Sequence, residues 1–211
     1  MKTNLLPVAK EGLSYIFYAL TFFVLCTFLD LDFLQFLSFL FILSFLFIFR
    51  NPEREVINFE KDSVISPVDG KLINIQEINE AEYGYKLEIE SSILDVCLLR
   101  VPLKSSIDDI KILRGSRLKK SNPLHVELNE RAEIIFKDVN ENTLKVVHRL
   151  KRSFKTIDIE VIKAQKINQG SRYGLMVNGI TTIYLPKNFR LNVSKGAEFS
   201  ASQTLVGYFT N

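Results

Sequence analysis

GLMVNGITTIYLP, residues 174–186, places two apolar runs on either side of Asn178-Gly179. The pattern reads as a strand, a tight turn and a second strand, because Asn-Gly is a favoured two-residue hairpin turn in which both residues take positive φ. Working outward, the same alternation recurs through most of the chain after residue 56, in KLINIQEI (71–78), YKLEIE (85–90), AEIIFKDV (132–139), LKVVHRL (144–150) and TLVGYF (204–209). Short runs of this kind, punctuated by Asp69-Gly70, Asn140-Glu141-Asn142 and Asn168-Gln169-Gly170, predict a mainly β domain. No 3.6-residue periodicity there is long enough to demand a long helix, and no solenoid repeat or low-complexity linker interrupts it.

The first fifty of the 211 residues cannot belong to that core. Gly12 to Leu29 and Phe33 to Phe49 are two nearly uninterrupted apolar runs, each about long enough to cross a bilayer as a helix. A secretory signal peptide would have one such run and a small-residue cleavage site, so the expectation is a two-helix membrane anchor over residues 1–50 and a soluble domain over 51–211. Lys2 and Lys10 precede the first run, Arg50 and Arg54 follow the second, and Asp30 and Asp32 mark the tip. The positive-inside rule then predicts a cytoplasmic domain. Cys26 and Cys97 both lie in apolar runs, which agrees with a reducing compartment.

Net charge is +3, with basic concentrations at RGSRLKK (114–120) and HRLKR (148–152). These read either as a solvated basic face or as a surface attracted to anionic headgroups. Neither is accompanied by a recognition helix or aromatic-basic stacking motif, so no nucleic-acid partner is expected. The scattered His and Cys residues form no ligand pair, so no metal is expected.

Four stretches carry a resemblance: FRNPER (49–54), SPVDGK (66–71), LNERAE (128–133), and GSRYGL (170–175) leading through YLP (184–186) to VSKG (193–196). In this order and spacing they resemble the short, membrane-anchored bacterial phosphatidylserine decarboxylases, over nearly the whole chain. The resemblance implies a β-rich α+β domain with barrel-sandwich character, a place in phosphatidylethanolamine synthesis at the bacterial inner membrane, a phospholipid partner such as phosphatidylserine, and a homodimer. It also implies self-cleavage between Gly and Ser, which leaves a pyruvoyl group that serves as electron sink for decarboxylation, with an Asp and a His assisting.

Carried onto this sequence, the Asp is Asp69. SILDVCLLRVP (92–102) matches the segment that bears the family's His, but with Cys97 in its place. A thiol set among Val96, Leu98 and Leu99 is desolvated, stays protonated and reads as packing. At the cleavage position Gly179 is followed by Ile180, which has no hydroxyl to start an acyl shift. The expectation is therefore a degenerate member with neither self-processing nor a pyruvoyl cofactor. Arg50, Arg54, Asn129 and Arg131 occupy further family-motif positions, the last two also readable as braces of the fold. His125 and His148 match no family position and read as ordinary surface or strand histidines.

Two alternatives stand beside this reading. Thr181, Thr182 or Ser171 can replace the missing Ser, although cleavage at Thr yields a ketobutyryl group and Ser171 falls one strand early. SPVDGKL (66–72) and VSKGAEFSASQTLV (193–206) also resemble the halves of a lipoyl-like domain of membrane-anchored adaptors. Residues 73–190 lack the heptads such adaptors place between the halves.

Overall fold

Leu, Phe and Ile fill most positions from Leu13 to Ile48, and such a segment satisfies its backbone polar groups internally by becoming helical. In the computed structural model, which describes residues 6–54, 57, 59, 62–78 and 82–210, this segment forms α1 (Leu13–Phe28) and α2 (Asp32–Ile48). Asp30, at φ 51°, turns the chain between them, and Asp32 places a negative charge at the α2 N-terminus, where the helix dipole favours it. Small residues bring the helices together: Ser38 is buried and its Oγ donates to the Ala19 carbonyl at 2.9 Å. The open ends are clasped by Ala9 N to Phe49 O (2.8 Å) and Asn51 N to Pro7 O (2.7 Å). Gly12 lies flat against the Phe49 ring, which stacks on Tyr15 at 5.4 Å. Phe17, Leu29 and Phe33 point outward and are exposed. With its preceding turn, Lys10–Phe28 is the one described helix long and apolar enough to cross a membrane. At 17 residues α2 is shorter.

The chain divides into two compact units, Met1–Glu53 and Arg54–Asn211. The second contains β1 (Ser63–Ile65), β2 (Gly70–Glu77), β3 (Tyr85–Ser91), β4 (Leu98–Arg100), β5 (Ser105–Leu113), α3 (His125–Leu128), β6 (Arg131–Lys137) and β7 (Thr143–Leu150). There follow β8 (Asp158–Ile159), β9 (Lys166–Ile167), β10 (Arg172–Leu175), β11 (Gly179–Leu185), β12 (Phe189–Leu191), β13 (Glu198–Phe199) and β14 (Leu205–Phe209). An eight-stranded antiparallel sheet runs β13-β2-β3-β11-β7-β6-β5-β9. Two three-stranded sheets run β1-β14-β12 and β4-β10-β8. The period-2 pattern puts Ala132, Ile134 and Phe136 of β6 and Leu144 and Val146 of β7 into one core with Leu87, Ile89 and Ile183.

The mainly β domain expected from the sequence is therefore present. No barrel closes among the described strands, since the large sheet is open from β13 to β9. The two stretches with lipoyl-like character do adjoin, as β13 pairs with β2 through Glu198 opposite Lys71 and Phe199 opposite Gly70.

The Asn178-Gly179 hairpin is not formed. Asn178 has φ 62°, but Gly179 is not in the left-handed region and opens β11. Nor do the flanking strands pair: β10 bonds to β4 and β8, and β11 to β3 and β7. The physical reason lies in Met176 and Val177, both buried, which carry the chain from one sheet to the other. The expected hairpin at Asn140-Glu141-Asn142 does join β6 to β7, with Glu141 at φ 67°.

Candidate functional site

Ser66-Pro67-Val68-Asp69-Gly70 turns tightly into β2. Ser66 Oγ donates to the Val68 carbonyl at 2.6 Å, and Gly70, at φ +149°, passes so close to the Glu90 carbonyl that a Cβ would collide with it. The turn presents the buried Asp69 carboxylate to Arg54, whose Nη1 bonds Oδ1 and whose Nη2 bonds Oδ2 at 2.6 Å. Ala201 N donates to the same Oδ1 at 2.8 Å, and Arg54 also donates to the Ala201 carbonyl at 3.1 Å. A bidentate guanidinium and a backbone amide thus saturate this carboxylate.

Ser91 connects Asp69 to the position of the expected cleavage. Its Oγ donates to the Asp69 carbonyl at 2.5 Å, and across the β3–β11 ladder it stands opposite Gly179. Cys97 joins the same locale from just before β4: its carbonyl accepts from Met176 N at 2.8 Å, and the Met176 sulfur fills the space where a Gly179 side chain would lie. Asp69, Cys97 and Gly179-Ile180 are therefore gathered at one end of the large sheet. Cys97 is a buried thiol. Ile180 is buried too, within a strand paired on both sides, opposite Glu90 on β3 and Arg149 on β7.

Just beyond Ile180 lies a group that reading the sequence missed. Thr181 Oγ1 is 2.8 Å from His148 Nδ1, and His148 Nε2 meets the Tyr173 hydroxyl. All three residues are fully buried. Burial pushes His148 down to about 3, keeping it neutral, and pushes the Tyr173 phenol well above its ordinary range. His148 is thus a core histidine with a satisfied ring. The inward phase of the β7 alternation was the available signal for its burial. Its partners lie on β10 and β11, too distant in sequence to be read.

The remaining motif residues brace the fold. Asn129 Oδ1 accepts from Leu118 N, and its Nδ2 donates to the Leu118 and Leu150 carbonyls, clamping the β5–β6 connection to β7. Arg131 pairs with Glu133 on its own strand at 3.2 Å. Arg50 belongs to the N-terminal unit, where it donates to the Phe47 carbonyl. Much of the basic concentration is engaged locally. Arg114 and Arg117 converge on buried Glu130, while Lys120 and Lys151 bond Glu90 at 2.9 and 2.7 Å. Partial burial pushes Glu90 up, but the hydrogen bonds from Lys151 and Lys120 outweigh it and hold the carboxyl below its usual range.

The family description phosphatidylserine decarboxylase matches residues 41–207, a segment that contains Asp69, Cys97 and Gly179-Ile180. The chain belongs to the phosphatidylserine decarboxylase family. Among its relatives, the phosphatidylserine decarboxylase proenzyme of Desulfotalea psychrophila is 27% identical over 206 residues, covering 95% of this chain and 96% of its own. That of Geotalea uraniireducens is 28% identical over 211 residues, covering 98% and 99%. That of Ehrlichia chaffeensis is 27% identical over 208 residues, covering 95% and 91%.

At the cleavage position that the resemblance implies, the side chains present are not those that form a pyruvoyl group: Ile180 has no hydroxyl, Cys97 carries a thiol where the resemblance expects an imidazole, and Asp69 is bonded to Arg54 and Ala201.

Proposed function

We propose that this chain is a membrane-anchored member of the family that acts in phospholipid metabolism without cleaving itself and without pyruvoyl chemistry. The observation that carries this reading is Ile180. An N-to-O acyl shift needs a hydroxyl on the β-carbon of the residue that follows the attacked carbonyl, and the residue after Gly179 is a buried aliphatic in a strand bonded on both sides. The domain then serves as a scaffold that holds lipid headgroups, phosphatidylserine among them, without reacting with them.

Membrane anchoring in this proposal rests on α1 and α2, many of whose Phe and Leu side chains are exposed. Lys10, Arg50 and Arg54 flank the apolar runs and favour a bacterial inner membrane with the β domain on the cytoplasmic side. A homodimer is part of the same proposal, by family resemblance.

One observation favours a second reading, an active enzyme with a displaced precursor residue: the Thr181 hydroxyl already touches an imidazole. Against it, Thr181 is paired to Ile89 and His148 and fully buried, so its peptide would have to leave both ladders to react. Intact-mass measurement of the detergent-solubilised full-length protein separates the two. A single species at the uncleaved mass is the expected result. Two fragments, the C-terminal one beginning at Ser171, Thr181 or Thr182 and lacking a free amine, would restore a decarboxylase.

A further inference from the structure

Register alignment puts Ser91, Gly179, Leu150, Arg131 and Leu113 side by side at one end of the eight-stranded sheet. Three connections leave from this end: 92–97 after β3, 114–130 between β5 and β6 and including α3, and 151–157 after β7. They are tied together, with Arg117 Nη1 donating to the Ser153 carbonyl at 3.2 Å and Lys120 reaching Glu90 beside Ser91. Asp69, Cys97 and Gly179 lie at the same end.

These connections expose Ile93, Leu94, Leu124, Val126, Leu128 and Phe154. They also carry seven Lys and Arg side chains against three acidic ones, a larger positive excess than the +3 of the entire chain. At the other end of the sheet the β2–β3, β4–β5, β6–β7 and β11–β12 connections carry, among the described residues, Glu82, Asp138 and Glu141 against Lys104 and Lys187, so charge there is close to balanced. There Val139 alone, among the described residues, is an exposed large apolar side chain. The domain is thus polarised along its strands: one end is basic and apolar together, the other polar and close to neutral.

We infer that the basic, apolar end of the domain docks on an anionic phospholipid surface. Apolar tips entering the headgroup layer gain burial, and Lys and Arg beside them are attracted to acidic lipid. The opposite end offers neither that positive excess nor the apolar tips, and this difference orients the domain. A protein partner of opposite charge would exploit the same polarity, but a chain that carries its own bilayer-length apolar helix meets lipid first. The inference rests on the proposed membrane anchoring and deepens it by naming the face and the lipid charge.

The chain contains no tryptophan, so single-Trp variants of the full-length protein report position directly. Leu94→Trp and Phe154→Trp probe the docking end, Val139→Trp the opposite end, and Phe22→Trp on α1 the anchor. Each is reconstituted into vesicles of brominated phosphatidylcholine with or without brominated phosphatidylglycerol, and melting curves confirm that each variant is folded. Expected are a blue-shifted emission and bromine quenching for L94W and F154W, stronger with phosphatidylglycerol and weakened by salt, and none for V139W. Quenching of F22W while L94W and F154W behave like V139W would overturn the docking face and leave the anchor intact. Loss of F22W quenching, with the loop probes still quenched, would sink the anchor and keep the face. Shielding of L94W and F154W from iodide without bromine quenching would assign the face to a protein contact and overturn the proposal.

Discussion

Arg54 grips Asp69 with both terminal nitrogens of its guanidinium while Ala201 N occupies the same carboxylate from the opposite side of the chain. Both side chains of the pair are nearly buried, about one-eighth exposed. Removing one partner strands a desolvated charge, which costs far more than the pair contributes as a unit.

Arg54→Ala is therefore expected to lower stability by about 3 kcal/mol, whereas the double variant Arg54→Met, Asp69→Leu should recover much of that loss. Thermal and denaturant unfolding of the solubilised protein measure both. Equal losses for the single and double variants would show that the ion pair is not what holds the SPVDG turn in place.

His148 predicts a pH dependence. Its folded value of about 3 lies below the ordinary 6.5, so between these limits the unfolded chain binds a proton that the folded one does not. Stability from this group is complete above pH 6.5 and is lost as pH falls towards 3, at a slope approaching about 1.4 kcal/mol per pH unit. Unfolding midpoints across pH 4–8 for the wild type and His148→Gln test it: the variant should show a flatter dependence in the acid range.

The string through His148 should also be sensitive to single atoms. Tyr173→Phe leaves His148 Nε2 without its hydroxyl partner in a dry core and is expected to cost about 1–3 kcal/mol. Thr181→Val removes the partner of Nδ1 at constant shape and should cost a similar amount. If both changes are neutral in melting experiments, the string contributes nothing to the core.

Restoring the missing chemical groups should not restore processing. In the double variant Cys97→His, Ile180→Ser the scissile peptide still lies in a strand bonded to β3 and β7, and Asp69 remains held by Arg54. Intact mass should show one uncleaved species. Two fragments would mean that the identity of two side chains, rather than the backbone and the Arg54 contact, blocks maturation.

Much of the fold was legible because it is written in local patterns. Period-2 alternation over 71–78, 85–90 and 132–150 marks β2, β3, β6 and β7, and the apolar run from Gly12 marks α1. The Asn178-Gly179 turn was misread for the opposite reason. Its local preference was overridden by distant partners, β4 and β8 on one side and β3 and β7 on the other, which no window of thirteen residues contains. Asp69, Cys97 and Ile180 were visible through resemblance, while the Arg54–Asp69 contact and the His148 string depend on how separate strands meet. The basic stretch at 114–120 reads as a solvated basic face or a surface drawn to anionic headgroups, while the acid that gathers Arg114 and Arg117, Glu130, lies beyond the intervening loop and α3.

The strand order also governs when the domain can come into being. β14, residues 205–209, is the middle strand between β1 and β12, and the Asp62 carbonyl accepts from Phe209 N at 3.1 Å. The earliest strand of the domain thus waits for the latest of its described strands, a pairing of very high contact order. On the ribosome, α1 and α2 emerge long before their chain can complete its β architecture. Until residues 205–209 have emerged, β1 and β12 both remain open edges, and a chain cut before β14 leaves both without the strand they share.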